Sequence, residues 1–444
     1  MKIVLVFPRL KHETCGDPPL GLAYLAAYLR KSTNTQVSIL DMAFLSVSKI
    51  SAYFLKERPD MVGVYFSTPV YNIGMEIVKA AKNADIFVVA GGPHASIAPE
   101  SLVDKVNAVV IGEGEKAFAE LIRFYAANNK VEVKNISGEP LMDLDILPFP
   151  ARDLLDMPRY IDNCQYFDCV DMKLKATTMI ASRGCSFKCT YCQPTLNNLF
   201  GNKIRFRSSD NLISEIKEIR SKYSIDAIFL HDDTLIFNKE WLVDFCRKLI
   251  LEVPDLMWGC NTRADLVDAE LLDLMHESGL RCLHIGAESA SQRIIDDIYK
   301  KGIKLSDVRS AVEMSKKRGI HTMCFFMLGA PTETKNEIED TIKFAGSLPL
   351  DEAVFNIATP MPGTELYNLA KKIGLGISDR WQDFNYYSQR AYDNAGLGSK
   401  RIKYYQLKAL FMFYLGFYRL KYILRHLYSL KGMRKLLRKI KRFF

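Results

Sequence analysis

A chain of 444 residues exceeds what one hydrophobic core usually covers, so two or three domains are expected. With 48% apolar residues and charges spread along its length, it is a globular chain, which excludes an intrinsically disordered one. The net charge of +9 misleads as an average: Arg401 to Phe444 holds 13 Lys and Arg and no acid, so the preceding 400 residues carry −4 and basicity belongs to a tail.

The opening MKIVLVFPRL is too short for the apolar stretch of a signal peptide and lacks a small-residue cleavage site. Ten cysteines at irregular spacings then read as reduced thiols and metal ligands, with the cytoplasm as the expected compartment. Through residues 1–130, KIVLVF, VSILDM, MVGVYFS, IFVVAGG and AVVIGEG are strand cores, separated by helical patterns such as PLGLAYLAAYLRKS. This alternation predicts an α/β, doubly wound, mostly parallel sheet with ligands at the carboxyl ends of its strands. Residues 131–172, rich in proline and acids, are expected to be a linker.

A second series spans 173–375: TTMIAS, DAIFLHDD, LMWGCNTR, CLHIGAES, HTMCFFMLG and AVFNIATP, again separated by helical stretches. Six strand–helix units predict a partial (β/α)6 barrel whose strand-end loops carry the chemistry. No repeat of solenoid length is visible. Residues 376–444 form a C-terminal extension with basic amphipathic helices.

SRGCSFKCTYC places Cys185, Cys189 and Cys192 directly after the first barrel strand, with no fourth cysteine nearby. A structural zinc site closes with four protein ligands, so a distant cysteine or His231 would have to complete one. A 4Fe-4S cluster held by three thiolates instead keeps one iron for a small molecule. The other cysteines, including Cys164, Cys169, Cys246, Cys260, Cys282 and Cys324, mostly fall in apolar runs and read as inert buried thiols, Cys15 in a polar loop being the exception.

The CxxxCxxC spacing, with Tyr191 before its last cysteine, resembles the radical S-adenosylmethionine (SAM) enzymes. The resemblance implies that the reduced cluster splits SAM to a 5′-deoxyadenosyl radical, that the radical removes a hydrogen atom from substrate, and that a flavodoxin or ferredoxin donates the electron. It places SAM against Tyr191, Asp232, Asp233, Arg263, Glu288 and Gly329: the two aspartates for the methionine amino group, Glu288 for the ribose hydroxyls, Arg263 for the carboxylate or for Glu288, and FMLGAP for adenine. Asp232 and Asp233 also suit turn or capping roles.

The front segments GDPPLGLAYLAAYLR, VVAGGPHASIAPE and VVIGEGEKAF are similar to the cobalamin-binding domain attached to one subgroup of these enzymes. That likeness implies cobalamin at Ser67, Thr68, Gly91, Gly92, His94, Gly112 and Gly114, with His94 near the nucleotide tail and read as a hydrogen-bonding or core residue in preference to a cobalt ligand. The DxHxxG motif that supplies a lower cobalt ligand in many cobalamin proteins is absent. Together the two likenesses imply methylation of an unactivated carbon. A radical cyclase or rearrangement without methyl transfer, and a non-catalytic metal-stabilised binding module, are the competing readings.

The tail pairs apolar and aromatic stretches with cations, but its longest uncharged run, Ala409 to Tyr418, is too short to cross a bilayer. A surface helix on anionic lipid, a lipid substrate, or a helical pair packed on the barrel all fit. Nucleic acid fits poorly, since no recognition fold accompanies the patch.

Overall fold

The computed structural model describes residues 1–10, 16–128, 134–171, 173–385, 391–394 and 397–416, with 419 and 433 as isolated positions. The front unit is a parallel sheet of β1 (Lys2–Phe7), β2 (Gln36–Asp41), β3 (Met61–Tyr65), β4 (Phe87–Gly91), β5 (Ala108–Gly112) and β6 (Asn135–Gly138), in the order β2-β1-β3-β4-β5-β6. Both faces are covered by helices, which is why the central strands read as unbroken apolar runs. The strand order reverses at β1, so a crevice opens above the carboxyl ends of β1 and β3. β6 extends the sheet into the stretch expected to be linker. Its NISG sequence is short and half exposed at an edge, so it carries no apolar signal.

The second unit follows the expectation strand for strand. β7 (Ala176–Met179) leads into a two-residue antiparallel ribbon, β8 (Ser182–Arg183) with β9 (Arg205–Phe206). β10 (Ala227–Leu230), β11 (Met257–Thr262), β12 (Leu280–Glu288), β13 (His321–Leu328) and β14 (Glu352–Ile357) complete a parallel sheet in the order β14-β13-β12-β11-β10-β7. Apart from the β8–β9 ribbon inserted after β7, each neighbour in space is the next strand in sequence, the pattern of an open (β/α)6 half-barrel. Among the described residues, β7 and β14 do not pair.

Helices 209–223, 239–252, 269–277 and 335–347 cover its outside, each entered through a Ser, Asn, Asp or Thr side chain that accepts an amide of the first turn. Each such cap contributes about 1 kcal/mol. A helix at Gly398–Tyr414 packs Ile402, Tyr405, Ala409 and Phe413 onto the barrel core, and Gln406 Nε2 donates to Phe355 O at 2.8 Å. The first part of the basic extension is thus a packed element of the barrel. Its later part lies outside the described residues. No helix among them is long and apolar enough to cross a membrane.

Between the units, residues 164–170 turn into the half-barrel, where the Tyr166 ring stacks on Phe229 with centroids 4.1 Å apart. The linker is therefore a plug packed on the inner face of the second sheet.

Candidate active site

The strand ends of the two units face each other across one cavity of about 2000 Å³. Phe7, Tyr65, Gly91, Gly92, Gly112 and Gly114 line its front wall, and Cys185, Cys189, Cys192, Asp233, Arg263 and Glu288 line the barrel wall. A pocket for one drug-sized ligand spans roughly 300–1,000 Å³, so this space suits more than one bound molecule. At Gly92, φ is +100° and a Cβ would meet Phe66 O at 2.8 Å, so only glycine lets the chain turn here.

The cysteine loop is fixed from several sides. Gly184, at φ +95°, permits the turn out of β8. Within the loop, Cys192 N donates to Cys189 O at 3.0 Å and Gln193 Nε2 donates to Phe187 O at 3.1 Å. From outside, Thr190 N donates to Tyr299 O at 2.9 Å, and Glu365 N, in the GTELY segment, donates to Gln193 O at 2.7 Å. Burial pushes the Cys185 and Cys192 thiols up, and the charge of Cys189 adds to it at both. Such thiols ionise when a cation binds them.

A single tetrahedral zinc, with Zn–S near 2.3 Å, would draw its sulfurs to about 3.8 Å from one another. Among the described residues the trio whose donor atoms all lie within 4.8 Å of one another is a different one, Cys169, His321 and Glu352. His231 does not complete a zinc site, because Tyr166 and Asp17 engage it.

Several of the expected ligands already have partners within the protein. Asp232 is buried and accepts from Ala181 N at 3.0 Å, Ser182 Oγ at 2.6 Å and Ser182 N, which clamps the backbone between β7 and β8. Burial raises it to about 6 against those hydrogen bonds. Asp233 faces the cavity, raised to about 6 by burial and by Asp232. Arg263 is not paired with Glu288. Its guanidinium grips Asp265 at 2.9 and 3.0 Å, covers the Phe187 ring at 3.7 Å, and points Nη1 at Cys189 Sγ at 3.8 Å. A cation beside one thiolate offsets the negative charge of a thiolate-bound cluster.

Glu288 pairs instead with Lys301 Nζ at 2.6 Å and accepts from Tyr191 Oη at 3.3 Å. Lys301 lines the cavity too, and nothing in its KKGIK context marks it; only the fold brings it to Glu288.

Ser67, Thr68, His94 and Gly329 do not line the cavity. Pro93 starts a short helix that turns the His94 imidazole into the core, where it bonds Thr68 Oγ1 at 3.0 Å and Ser101 Oγ at 3.1 Å beside Tyr71 and Trp381. The Gly329 amide donates to Glu333 Oε2 at 2.5 Å, and its Cα faces Ile402 of the C-terminal helix.

Burial, with a further push from Lys105, lowers His94 to about 4. Its folded value lies below the usual 6.5, so the unfolded chain binds more protons between pH 6.5 and 4 and stability falls as pH drops through that window. Removing this penalty in His94→Gln is expected to flatten the loss of thermal stability between pH 7 and 5, a term of about 2 kcal/mol over that range.

A trio that sequence reading missed spans three segments: Tyr166 Oη donates to Asp17 Oδ2 at 2.6 Å and stands 2.7 Å from His231 Nε2, which is 3.4 Å from Asp17. Burial lowers His231, but the hydrogen bond and charge of Asp17 outweigh it and raise the imidazole overall. Asp17→Asn is expected to move the His231 titration down, because the hydrogen bond and charge that raise it are removed. The pH dependence of turnover would report it.

The comparisons agree with both walls of this cavity. A model of the radical SAM superfamily matches residues 179–345, and one of the B12 binding domain matches residues 17–122. An uncharacterized methyltransferase of Pyrococcus horikoshii is 34% identical over 86% of this chain and 86% of its own length. The anaerobic magnesium-protoporphyrin IX monomethyl ester cyclase of Cereibacter sphaeroides is 27% identical over 83% of this chain and 63% of its own. In fold, the cobalamin-dependent S-adenosylmethionine radical enzyme OxsB superposes with a TM-score of 0.75 at 16% identity, covering 100% of this chain and 72% of that one. Three thiols on one wall and glycine-edged strand ends on the other thus coincide with two family matches, and the chain belongs to the radical SAM enzymes that carry an N-terminal cobalamin-binding domain.

Proposed function

We propose that this chain is a cobalamin-dependent radical SAM methyltransferase that places a methyl group on an unactivated carbon of an apolar or amphipathic small molecule. The observation that carries the reading is the single cavity onto which both cofactor walls open. When bound, the cluster supplies the electron that splits SAM homolytically, and cobalamin supplies a methyl group that a carbon radical can take.

The protein's part is placement. Cys185, Cys189 and Cys192 would hold the cluster, with Arg263 balancing its charge beside Cys189. Asp232 fixes the backbone entering the loop. Asp233 and the Glu288–Lys301 pair offer charged partners for the amino acid and ribose parts of SAM. Gly91, Gly92, Gly112 and Gly114 let the front backbone approach cobalamin.

The substrate class follows from the remaining lining. Leu407, Leu410, Phe411, Tyr414 and Leu415 of the C-terminal segment reach the cavity, beside Met323, Phe325 and Val354 of the barrel. Phe411 and Leu415 stay 60% and 65% exposed, so an apolar rim leads inward. That rim favours a lipid-like or otherwise apolar substrate and excludes water from the reacting carbon. The basic residues that follow fit contact with an anionic membrane surface. Likeness to the Cereibacter cyclase supports a second reading, oxidation or cyclisation without net methylation.

The test is anaerobic reconstitution with iron, sulfide and hydroxocobalamin, then incubation with reductant and SAM deuterated at its methyl group. A deuteromethyl group on cobalamin and on an apolar acceptor supports methyl transfer. SAM cleavage with an unlabelled, oxidised product supports the cyclase reading, and a chain that retains no cobalamin refutes both.

A further inference from the structure

We propose that Cys169, His321 and Glu352 form a second, mononuclear metal site for a divalent cation of the zinc class, at the base of the half-barrel and separate from the cysteine loop. The Cys169 sulfur, a ring nitrogen of His321 and a carboxylate oxygen of Glu352 all lie within 4.8 Å of one another. His321 opens β13 and Glu352 opens β14, while Cys169 belongs to the plug between the two units. The site therefore joins the plug to the two last strands, at the end of the sheet opposite the strand-end loops.

The imidazole is arranged as a metal ligand usually is. Its Nδ1 lies 3.4 Å from Asp351 Oδ2, and Asp351 is itself fixed by Thr322 N at 3.0 Å and Lys316 Nζ at 2.7 Å. Its Nε2 is buried without a hydrogen-bond partner among the described residues and faces Glu352 Oε1 at 3.8 Å. A carboxylate orienting one ring nitrogen, with the other left toward a thiol and a second carboxylate, is the outer-shell pattern of metal-binding histidines. Cys169 Sγ is hydrogen-bonded to that same Glu352 oxygen, so two prospective ligands converge on the orphaned nitrogen.

The donor set narrows the ion. One thiolate, one imidazole and one carboxylate suit Zn²⁺, whereas Mg²⁺ and Ca²⁺ take oxygen only and an iron–sulfur cluster takes chiefly thiolates. Three protein ligands leave the fourth tetrahedral position to water. Binding would replace the Cys169–Glu352 hydrogen bond by two metal bonds and release the thiol proton to solvent. Glu352 also lines the main cavity, so the ion would close its floor and pin the plug on which Tyr166 depends. Cys169 is then a ligand, in place of the inert thiol its sequence context suggested.

The experiment counts metals on the full chain, anaerobically loaded with cluster and cobalamin and dialysed against micromolar Zn²⁺. About one zinc per chain is expected in addition to cluster iron. Cys169→Ser and His321→Gln should lose the zinc and keep the iron, and Cys192→Ala should do the reverse. Zinc absent from the wild-type chain, or retained in both Cys169→Ser and His321→Gln, overturns the site. If those variants do not accumulate folded, calorimetric titration of the chelator-stripped wild-type chain with Zn²⁺ decides. One saturable site with proton release supports the proposal, and no saturable site overturns it.

Discussion

Cys192→Ala should leave the chain without a stable cluster and reduce 5′-deoxyadenosine formation to the background of uncatalysed SAM, a drop of at least about 10⁶-fold. The reasoning is geometric. Cys185, Cys189 and Cys192 stand on one loop whose backbone is tied to Tyr299, to Gln193 and to the GTELY segment, so the three thiols are held in fixed places. The Cys185 and Cys192 thiols are held high by burial, and a variant with two of the three cysteines has lost a third of the anionic charge that a cationic cluster needs. Cys246→Ala is the matched control. That thiol is on the buried face of the helix that follows β10, and its loss should cost stability while iron content stays at the wild-type level. Iron analysis and chromatography of deoxyadenosine read both outcomes directly.

The second large effect is expected at Glu113, between Gly112 and Gly114 on the front wall. Its carboxylate accepts from Arg205 Nη1 at 3.2 Å and from Leu141 N at 2.9 Å, is paired with Arg205 Nη2, and lies 3.4 Å from Arg183 Nη1. Arg183 also meets Glu115 at 2.7 Å. Both arginines belong to the β8–β9 ribbon that leads into the cysteine loop, so this buried network locks the cobalamin wall to the cluster wall. Glu113→Ala would leave Arg205 buried and stripped of its carboxylate partner, a cost of about 3–5 kcal/mol. The urea midpoint should fall accordingly, and the folded fraction should retain cobalamin poorly. Glu113→Gln keeps the acceptor for Leu141 and should fall between the two. An Ala variant with an unchanged midpoint would show that the network does not couple the units.

Strand cores in both units were readable because strands buried on two faces repeat Val, Ile, Leu and Phe without interruption. KIVLVF and DAIFLHDD needed no tertiary information. β6 and the β8–β9 ribbon were not readable, being short, polar or only two residues long. The three cysteines announced themselves through spacing after a strand. Their partners did not: Arg263 reaches Cys189 across 74 positions, and Lys301 reaches Glu288 from the loop beyond a π-helical turn. At His94 the sequence left two readings: a histidine beside a glycine pair suits a cofactor contact or a hydrogen-bonded core residue. Pro93 turns it inward to fill a polar gap beside Trp381, which agrees with the second, though no local pattern encodes that neighbour. Cys169 and His321 illustrate the same limit, since a thiol in a linker and a histidine at a strand start become neighbours only through the barrel.

Mössbauer spectroscopy of the iron-reconstituted chain, taken before and after adding SAM, asks most directly whether three thiolates leave one iron free for a nucleoside ligand. One iron in every four should shift its signal when SAM is added, with the other three unchanged. A spectrum of four equivalent, fully ligated irons that ignores SAM would mean that a further side chain caps the cluster, and the reading of this cavity as a site of SAM cleavage would fail.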